Sequence, residues 1–89
     1  MNNNTKPDLP QGYYQHYKGR YYQVVDLAMH SETAEWLVIY RALYGDFGLW
    51  ARPATMFSEN VDIAGELSPR FSYVGSTLSK ALSSLANTP

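Results

Sequence analysis

Runs of aromatic and β-branched residues, separated by polar or glycine-containing breaks, dominate the first half of the chain. Residues 13–18 are rich in tyrosine and residues 21–29 combine tyrosine with valine and leucine, both of which favour strands. Between them, Gly19 permits the positive φ that a tight hairpin turn needs. The pattern therefore predicts a β-hairpin over residues 13–29.

The next apolar run, residues 35–44, follows a polar break over residues 30–34. Its centre, Leu37-Val38-Ile39, is apolar at consecutive positions, which is typical of a central strand covered on both faces. A helix is the alternative. Branched Val38 and Ile39, flanked by tryptophan and tyrosine, favour the strand.

Shorter elements are predicted further along. Leu49–Arg52 forms a short strand that ends at Pro53, which cannot donate a ladder hydrogen bond. Pro53 then suits the first position of one helical turn, residues 53–57. Further extended segments are predicted near residues 61–63 and at residues 70–73.

The C-terminal segment changes to a helical period. From Ser76, a suitable N-cap, to Ala86, apolar residues recur three and four positions apart, the pattern of an amphipathic helix. These residues are Leu78, Ala81, Leu82 and Leu85. About three turns of helix are marginal alone, so this helix needs a surface, either its own domain or a partner, as in a homodimer through residues 76–86.

The predicted fold is mainly β with a C-terminal helix, either a small antiparallel barrel or a strongly bent sheet. Residues 1–11 are expected to be a flexible tail. Residues 12–75 form the β-rich domain, and residues 76–89 are the helix and tail that pack on the domain or on a partner.

Composition narrows the classes of function. With 7 basic and 8 acidic residues in 89, the net charge is −1, which disfavours bulk duplex DNA binding through phosphates. The chain has no cysteine, which excludes disulfides and thiolate sites. Neither a secretory signal nor an apolar run near 18 residues is present, so we expect a cytoplasmic protein that does not bind a membrane.

Several short segments occur together in an unusual combination. They are residues 12–19 (GYYQHYKG), 28–33 (AMHSET), 38–45 (VIYRALYG), 49–53 (LWARP), 56–57 (MF) and 69–71 (PRF). In this order they resemble a bacterial family of small domains of unknown function, number 1653. The resemblance implies one compact β-rich domain and carries no activity with it. Ala51 departs from the larger aliphatic residue of that pattern, and the chain beyond residue 73 lies outside it.

The most suggestive catalytic pair is His30 and Glu32, since a histidine near a carboxylate can act as an oriented base. The alternative is that Ser31 and Thr33 organise a turn with His30 and Glu32 beside it. Only two histidines and no cysteine are present, so neither a metal site nor a cofactor is expected. Nucleophile-elbow and phosphate-loop motifs are also missing.

The chain contains 8 Tyr, 2 Trp and 3 Phe, more rings than a small core needs. Alternation places Tyr40 and Tyr44 on one face of their strand, and Trp50 and Arg52 on one face of the next. Together they predict a groove in which Arg52 binds an anion or stacks on a flat ring. The alternative is core aromatics with a solvated arginine at the rim.

Arg41 is unusual because it lies within an apolar strand. A buried arginine needs a carboxylate, and Glu32, Glu35 and Asp46 are the candidates. Arg70 is either similar or simply exposed, while Lys18 and Arg20 flank the hairpin turn as solvated charges.

The leading functional hypothesis is a recognition module without catalysis, whose ligand is a nucleotide, an anionic metabolite, a peptide or single-stranded nucleic acid. A hydrolase-like enzyme with His30 as base and Glu32 or Asp46 as orienting acid is one alternative. An assembly or adaptor domain acting through the C-terminal helix is the other. The candidate ligand-binding residues are His30, Glu32, Tyr40, Arg41, Tyr44, Trp50 and Arg52.

Overall fold

The computed structural model of the protein describes residues 5–77, which form seven strands and one helical turn. The elements are β1 (Gly12–His16), β2 (Tyr21–Met29), β3 (Trp36–Ala42), β4 (Leu49–Pro53), α1 (Ala54–Phe57), β5 (Asn60–Ile63), β6 (Glu66–Pro69) and β7 (Phe71–Gly75). Of these described residues, none belongs to a helix that is long and apolar enough to cross a membrane.

Five of the strands form one antiparallel sheet in the order β4-β3-β2-β1-β7, and β5 pairs with β6 in a separate hairpin. The sheet begins at β4 and ends at β7 without closing, so the barrel alternative is not supported and the bent sheet is the better description. Because each hairpin joins neighbours, the antiparallel sheet follows chain order from β1 to β4.

The bend is visible in side chains that meet across the sheet. In a flat sheet β3 and β7 would lie three strand spacings, or roughly 14 Å, apart. The rings of Tyr40 on β3 and Phe71 on β7 nevertheless have centroids only 5.9 Å apart. A register shift between Val24 and Asp26 places an extra residue in β2, and such bulges increase local bending and twist.

The core lies on the concave face of this sheet. Its buried residues include Val24 and Val38 on the central strands, and α1 contributes Phe57. The Phe57 ring stacks on that of Phe71, with centroids 4.1 Å apart and planes 4° from parallel. The single helical turn therefore fills the concavity that the bend creates.

The predicted hairpin, the strand over residues 35–44 and the helical turn after Pro53 are all confirmed. Strand β6 was not predicted. Val38 is fully buried, as a central strand requires. Leu37 and Ile39 are only partly buried, so the described residues cover one face of β3 fully and the other face in part.

The predicted N-terminal tail lies partly within the described residues, whereas the predicted C-terminal helix does not. Residues 5–11 have no regular secondary structure, but Leu9 packs against the core and the Pro10 carbonyl accepts a 2.7 Å hydrogen bond from Tyr14. The amphipathic helix predicted from Ser76 to Ala86 falls almost wholly outside the described residues.

Gly12 lies where the backbones of β1 and β7 approach closely. It has a φ of +137°, and a Cβ at this position would lie 2.6 Å from the Gly75 carbonyl oxygen of β7. We expect Gly12→Ala to lower the free energy of unfolding by about 3 kcal/mol, through backbone strain and steric overlap. Urea unfolding followed by circular dichroism measures the change.

Gly19→Ala is the matched control, because Gly19 also has a positive φ of +108° but no neighbouring atom within 4 Å of a Cβ. Gly19→Ala should therefore lower the free energy of unfolding through backbone strain alone, and by less than Gly12→Ala does. Equal losses for the two variants would mean that β1 and β7 can separate without cost at this point.

Candidate functional site

Strands β3 and β4 place three of the predicted ligand-binding residues on the same face. Tyr40 lies opposite Trp50 and Val38 opposite Arg52 in the antiparallel register, so these side chains share the concave face. The Arg52 Nε donates a 3.4 Å hydrogen bond to the Tyr40 hydroxyl. Trp50 remains 61% exposed. An arginine held in position beside an exposed indole is therefore present at this edge of the sheet.

Tyr44 joins this group through Tyr22 on β2. The two hydroxyl oxygens are 2.6 Å apart, and the Tyr22 ring packs edge-on against both Tyr40 and Tyr44 at 5.5 Å. Burial, followed by the hydrogen bond to Tyr44, raises the pKa of Tyr22 to about 12. The guanidinium of Arg20 lies 4.3 Å from the centre of the Tyr44 ring, within cation–π distance.

His16 belongs to the same face, although the sequence pattern did not select it. It lies opposite Phe71 in the β1–β7 register, and its ring packs edge-on against Phe71 at 4.9 Å. Burial, then the positive charges of Arg70, Lys18 and Arg52, lowers the pKa of His16. Cations from three parts of the fold therefore act on this imidazole.

We call this set the basic aromatic face; its members are His16, Tyr22, Tyr40, Tyr44, Trp50 and Arg52. Within residues 5–77 the arginine and lysine side chains around it form one ion pair, between Arg70 and Glu59 at 3.0 Å. Arg70 is also the residue whose buried Nε lacks a hydrogen-bond partner. In the same part of the chain, Arg20 and Arg52 have no carboxylate partner, which leaves the face with uncompensated positive charge.

His30 and Glu32 lie elsewhere, in the turn between β2 and β3. The His30 Nδ1 accepts hydrogen bonds from the backbone N–H groups of Glu32 and Thr33, at 3.1 and 3.3 Å. Ser31 donates to the Glu32 carboxylate at 2.7 Å. The segment is a hydrogen-bonded turn, and Thr33 helps to hold it by accepting from the Glu35 N–H, but His30 takes part in the turn itself and does not merely lie beside it. The turn lies at the opposite end of β3 from the β3–β4 turn that holds Asp46.

Arg41 lies on the convex face, away from Tyr40 and Arg52. Its Nη1 donates a 2.7 Å hydrogen bond to the Phe47 carbonyl in the β3–β4 turn. The expectation that Arg41 pairs with Glu32, Glu35 or Asp46 is wrong for the described residues, because the side chain is only partly buried and one of its N–H groups donates to a backbone carbonyl instead. Its position makes it a convenient control for Arg52.

A shallow cavity of about 490 Å³ lies near the β2–β3 turn. Its walls include Thr33, Glu35 and Trp36, together with Thr5 and Ala54. Neither His30 nor Asp46 lines it, so the convergence that the hydrolase alternative needs is not provided there. Over residues 5–77, no three histidine or acidic side chains come together in a group that could hold a metal ion.

Comparison with known proteins agrees with this fold. The family profile described as "Protein of unknown function (DUF1653)" matches residues 12–73. The crystal structure of a DUF1653 protein from Bordetella bronchiseptica is 39% identical, covers 79% of this chain and 92% of that chain, and superposes with a TM-score of 0.72. No curated protein matches the sequence. The chain therefore belongs to the DUF1653 family of proteins of unknown function.

Proposed function

We propose that this domain is a recognition module without catalytic activity, and that its basic aromatic face binds an anionic ligand that carries a flat ring. The observation that supports this most strongly is Arg52, which is tethered by Nε to Tyr40, forms no ion pair with the described residues and lies beside a 61% exposed Trp50. Trp and Arg are the residues that most often dominate binding energy.

The geometry gives each residue a distinct task. The bond from Nε to Tyr40 directs the Arg52 guanidinium, and the terminal nitrogens make no further hydrogen bond to the described residues. A guanidinium can donate two parallel hydrogen bonds to one anionic group. Trp50 offers a broad apolar surface two residues away on the same strand face, suitable for stacking.

Four ligand classes satisfy these requirements: a nucleotide, an anionic metabolite, a short peptide with an acidic group, and single-stranded nucleic acid. A small ligand fits best. The positive charge is confined to a few residues around one face of a chain whose net charge is −1, whereas binding along a nucleic-acid backbone requires a longer basic groove.

Replacing Arg52 by alanine should weaken ligand binding about tenfold or more, because a charge-assisted pair of hydrogen bonds is lost. The melting temperature should change by only a few degrees, since a partly exposed arginine contributes little to stability. The ligand for this comparison is identified first by an NMR screen. The screen covers nucleotides, phosphorylated metabolites, acidic peptides and short oligonucleotides.

Arg41→Ala removes the same side chain from the opposite face of the neighbouring strand and is the matched control. It should leave the affinity unchanged. An equal loss in both variants would indicate a non-specific charge effect. Unfolding of Arg52→Ala would show that this arginine has a structural task and would contradict the proposed site.

A further inference from the structure

His16 and Arg52 come from strands β1 and β4, which two other strands separate in the sheet. A continuous series of ring contacts nevertheless connects them. Arg52 is bonded to the Tyr40 hydroxyl at 3.4 Å, the Tyr40 ring lies 5.9 Å from Phe71, and Phe71 lies 4.9 Å from His16. The bend of the sheet therefore brings an imidazole and a guanidinium to the same concave surface.

The hydrogen bonding of His16 defines which nitrogen can meet a ligand. Its Nδ1 accepts a 3.1 Å hydrogen bond from the backbone N–H of Lys18. In the neutral ring the proton must then be on Nε2, which makes Nε2–H a hydrogen-bond donor. This donor can bind an acceptor group on a ligand.

Charged and titratable groups face His16 from each neighbouring element. Positive charge comes from the β1–β2 turn, from the residue before β7 and from β4, and the one carboxylate bonded to these cations is on Glu59, where it pairs with Arg70 at 3.0 Å. Tyr17 and Tyr22 contribute neutral hydroxyl-bearing rings, at 4.6 and 6.3 Å. The groups are Tyr17, Lys18, Tyr22, Arg52, Glu59 and Arg70.

We propose that His16 and Arg52 bind one phosphoryl group of a small phosphomonoester ligand, such as a nucleoside monophosphate whose base stacks on Trp50. This inference rests on the proposed function of the basic aromatic face. A phosphomonoester carries close to two negative charges and three strong acceptor oxygens. A carboxylate has two oxygens, which the arginine fork alone can satisfy, so the second donor favours the phosphoryl group.

A consequence is that binding and protonation of His16 are coupled. The surrounding cations and burial lower the pKa of His16 in the unliganded protein. A bound dianion offsets that positive charge and raises the pKa, so the complex binds a proton more readily than the free protein does. Linkage then requires that affinity for a dianion increases as the pH falls through the range in which His16 titrates.

Inorganic sulfate isolates this effect, because its charge stays constant where histidine titrates. We would follow the His16 ring signals and the Arg52 Nε signal by NMR during sulfate titrations at about pH 5.5 and about pH 7.5, at fixed ionic strength. Sulfate should bind about three to ten times more tightly at the lower pH and shift both side chains. His16→Gln should abolish the pH dependence, while His30→Gln, in the β2–β3 turn, should preserve it.

A second experiment distinguishes a small phosphomonoester from a nucleic-acid backbone. It compares, at pH 7.5, the binding of adenosine monophosphate with that of a dinucleotide whose single phosphoryl group is a diester. The monophosphate should bind at least about tenfold more tightly than the diester, because the diester has one charge fewer at the phosphoryl group. Equal or tighter binding of the diester would overturn the inference and favour single-stranded nucleic acid.

Three negative outcomes have different consequences for the two proposals. If an acidic peptide shifts Trp50 and Arg52 but neither sulfate nor the monophosphate does, the recognition module stands and the phosphomonoester inference fails. If His16→Gln retains the pH dependence, the inference also fails, whatever binds to the face. If no probe in the panel shifts Trp50 or Arg52, the proposed function and this inference fail together.

Discussion

Replacing Val38 by aspartate is expected to unfold the domain at room temperature. Val38 is 0% exposed at the centre of β3, between β2 and β4. Arg52 lies opposite Val38 in the β3–β4 register, but removing a carboxylate from water into this core costs several kcal/mol, which a neighbouring cation does not fully offset. Small domains have only about 5–15 kcal/mol of stability in total. Far-UV circular dichroism and a one-dimensional proton spectrum should show loss of the fold.

Val25→Asp is the appropriate control, since it makes the same change on a neighbouring strand at a position that is 40% exposed. The charge there remains hydrated, so the variant should fold and melt within a few degrees of the parent. A folded Val38→Asp variant would contradict the position of β3 in the core.

Truncating Phe57 to alanine should produce the second large effect, a loss of about 3–5 kcal/mol in the free energy of unfolding. Phe57 is 1% exposed, stacks on Phe71 and contacts Tyr14 and Tyr40 edge-on. Its removal leaves a cavity under the concave face. Urea unfolding at equilibrium measures the loss, with the midpoint and slope both recorded.

Met56→Ala is the matched control, because Met56 precedes Phe57 in the same helical turn and is 45% exposed. Its loss should be below about 1 kcal/mol, as for most surface substitutions. An equally small loss in the free energy of unfolding for Phe57→Ala would contradict the position of this ring in the core. Because Phe71 carries the contact to His16, we also expect Phe57→Ala to disturb the His16 ring signals.

The elements that were predicted correctly are those whose signals are local. The tyrosine-rich hairpin, the branched segment around Val38 and the proline before α1 each act within a few residues. Strand β6 was missed because Glu66–Pro69 has no β-branched or aromatic residue. It forms because Ala64 and Gly65, both with positive φ, return the chain onto β5, a turn geometry that favours hairpins.

The basic aromatic face was predicted in part. Alternation along β3 and β4 was sufficient to place Tyr40, Trp50 and Arg52 on one face. His16 was missed because its position depends on the pairing of β1 with β7, more than fifty residues later in the chain, and on the bend of the sheet. Extending alternation from Tyr14 to His16 would have indicated the core-facing side, but not the cations that meet it there.

For Arg41, the sequence predicted a carboxylate partner that the described residues do not provide. Its place in an apolar strand suggested a buried charge and therefore a carboxylate partner. The same alternation that places Tyr40 on the concave face places Arg41 on the convex one, where partial exposure and a turn carbonyl are sufficient. The unusual position of Arg41 in the sequence therefore indicated a contact with the β3–β4 turn and no carboxylate partner among the described residues.

The most direct test of the basic aromatic face uses the two tryptophan indole N–H signals in a nitrogen–proton correlation spectrum. Trp50 lies exposed beside Arg52, whereas Trp36 begins β3 at the end near the β2–β3 turn. On addition of adenosine monophosphate, the Trp50 signal should shift in a saturable way while that of Trp36 stays in place. A saturable shift of Trp36 with an unchanged Trp50 would contradict the account.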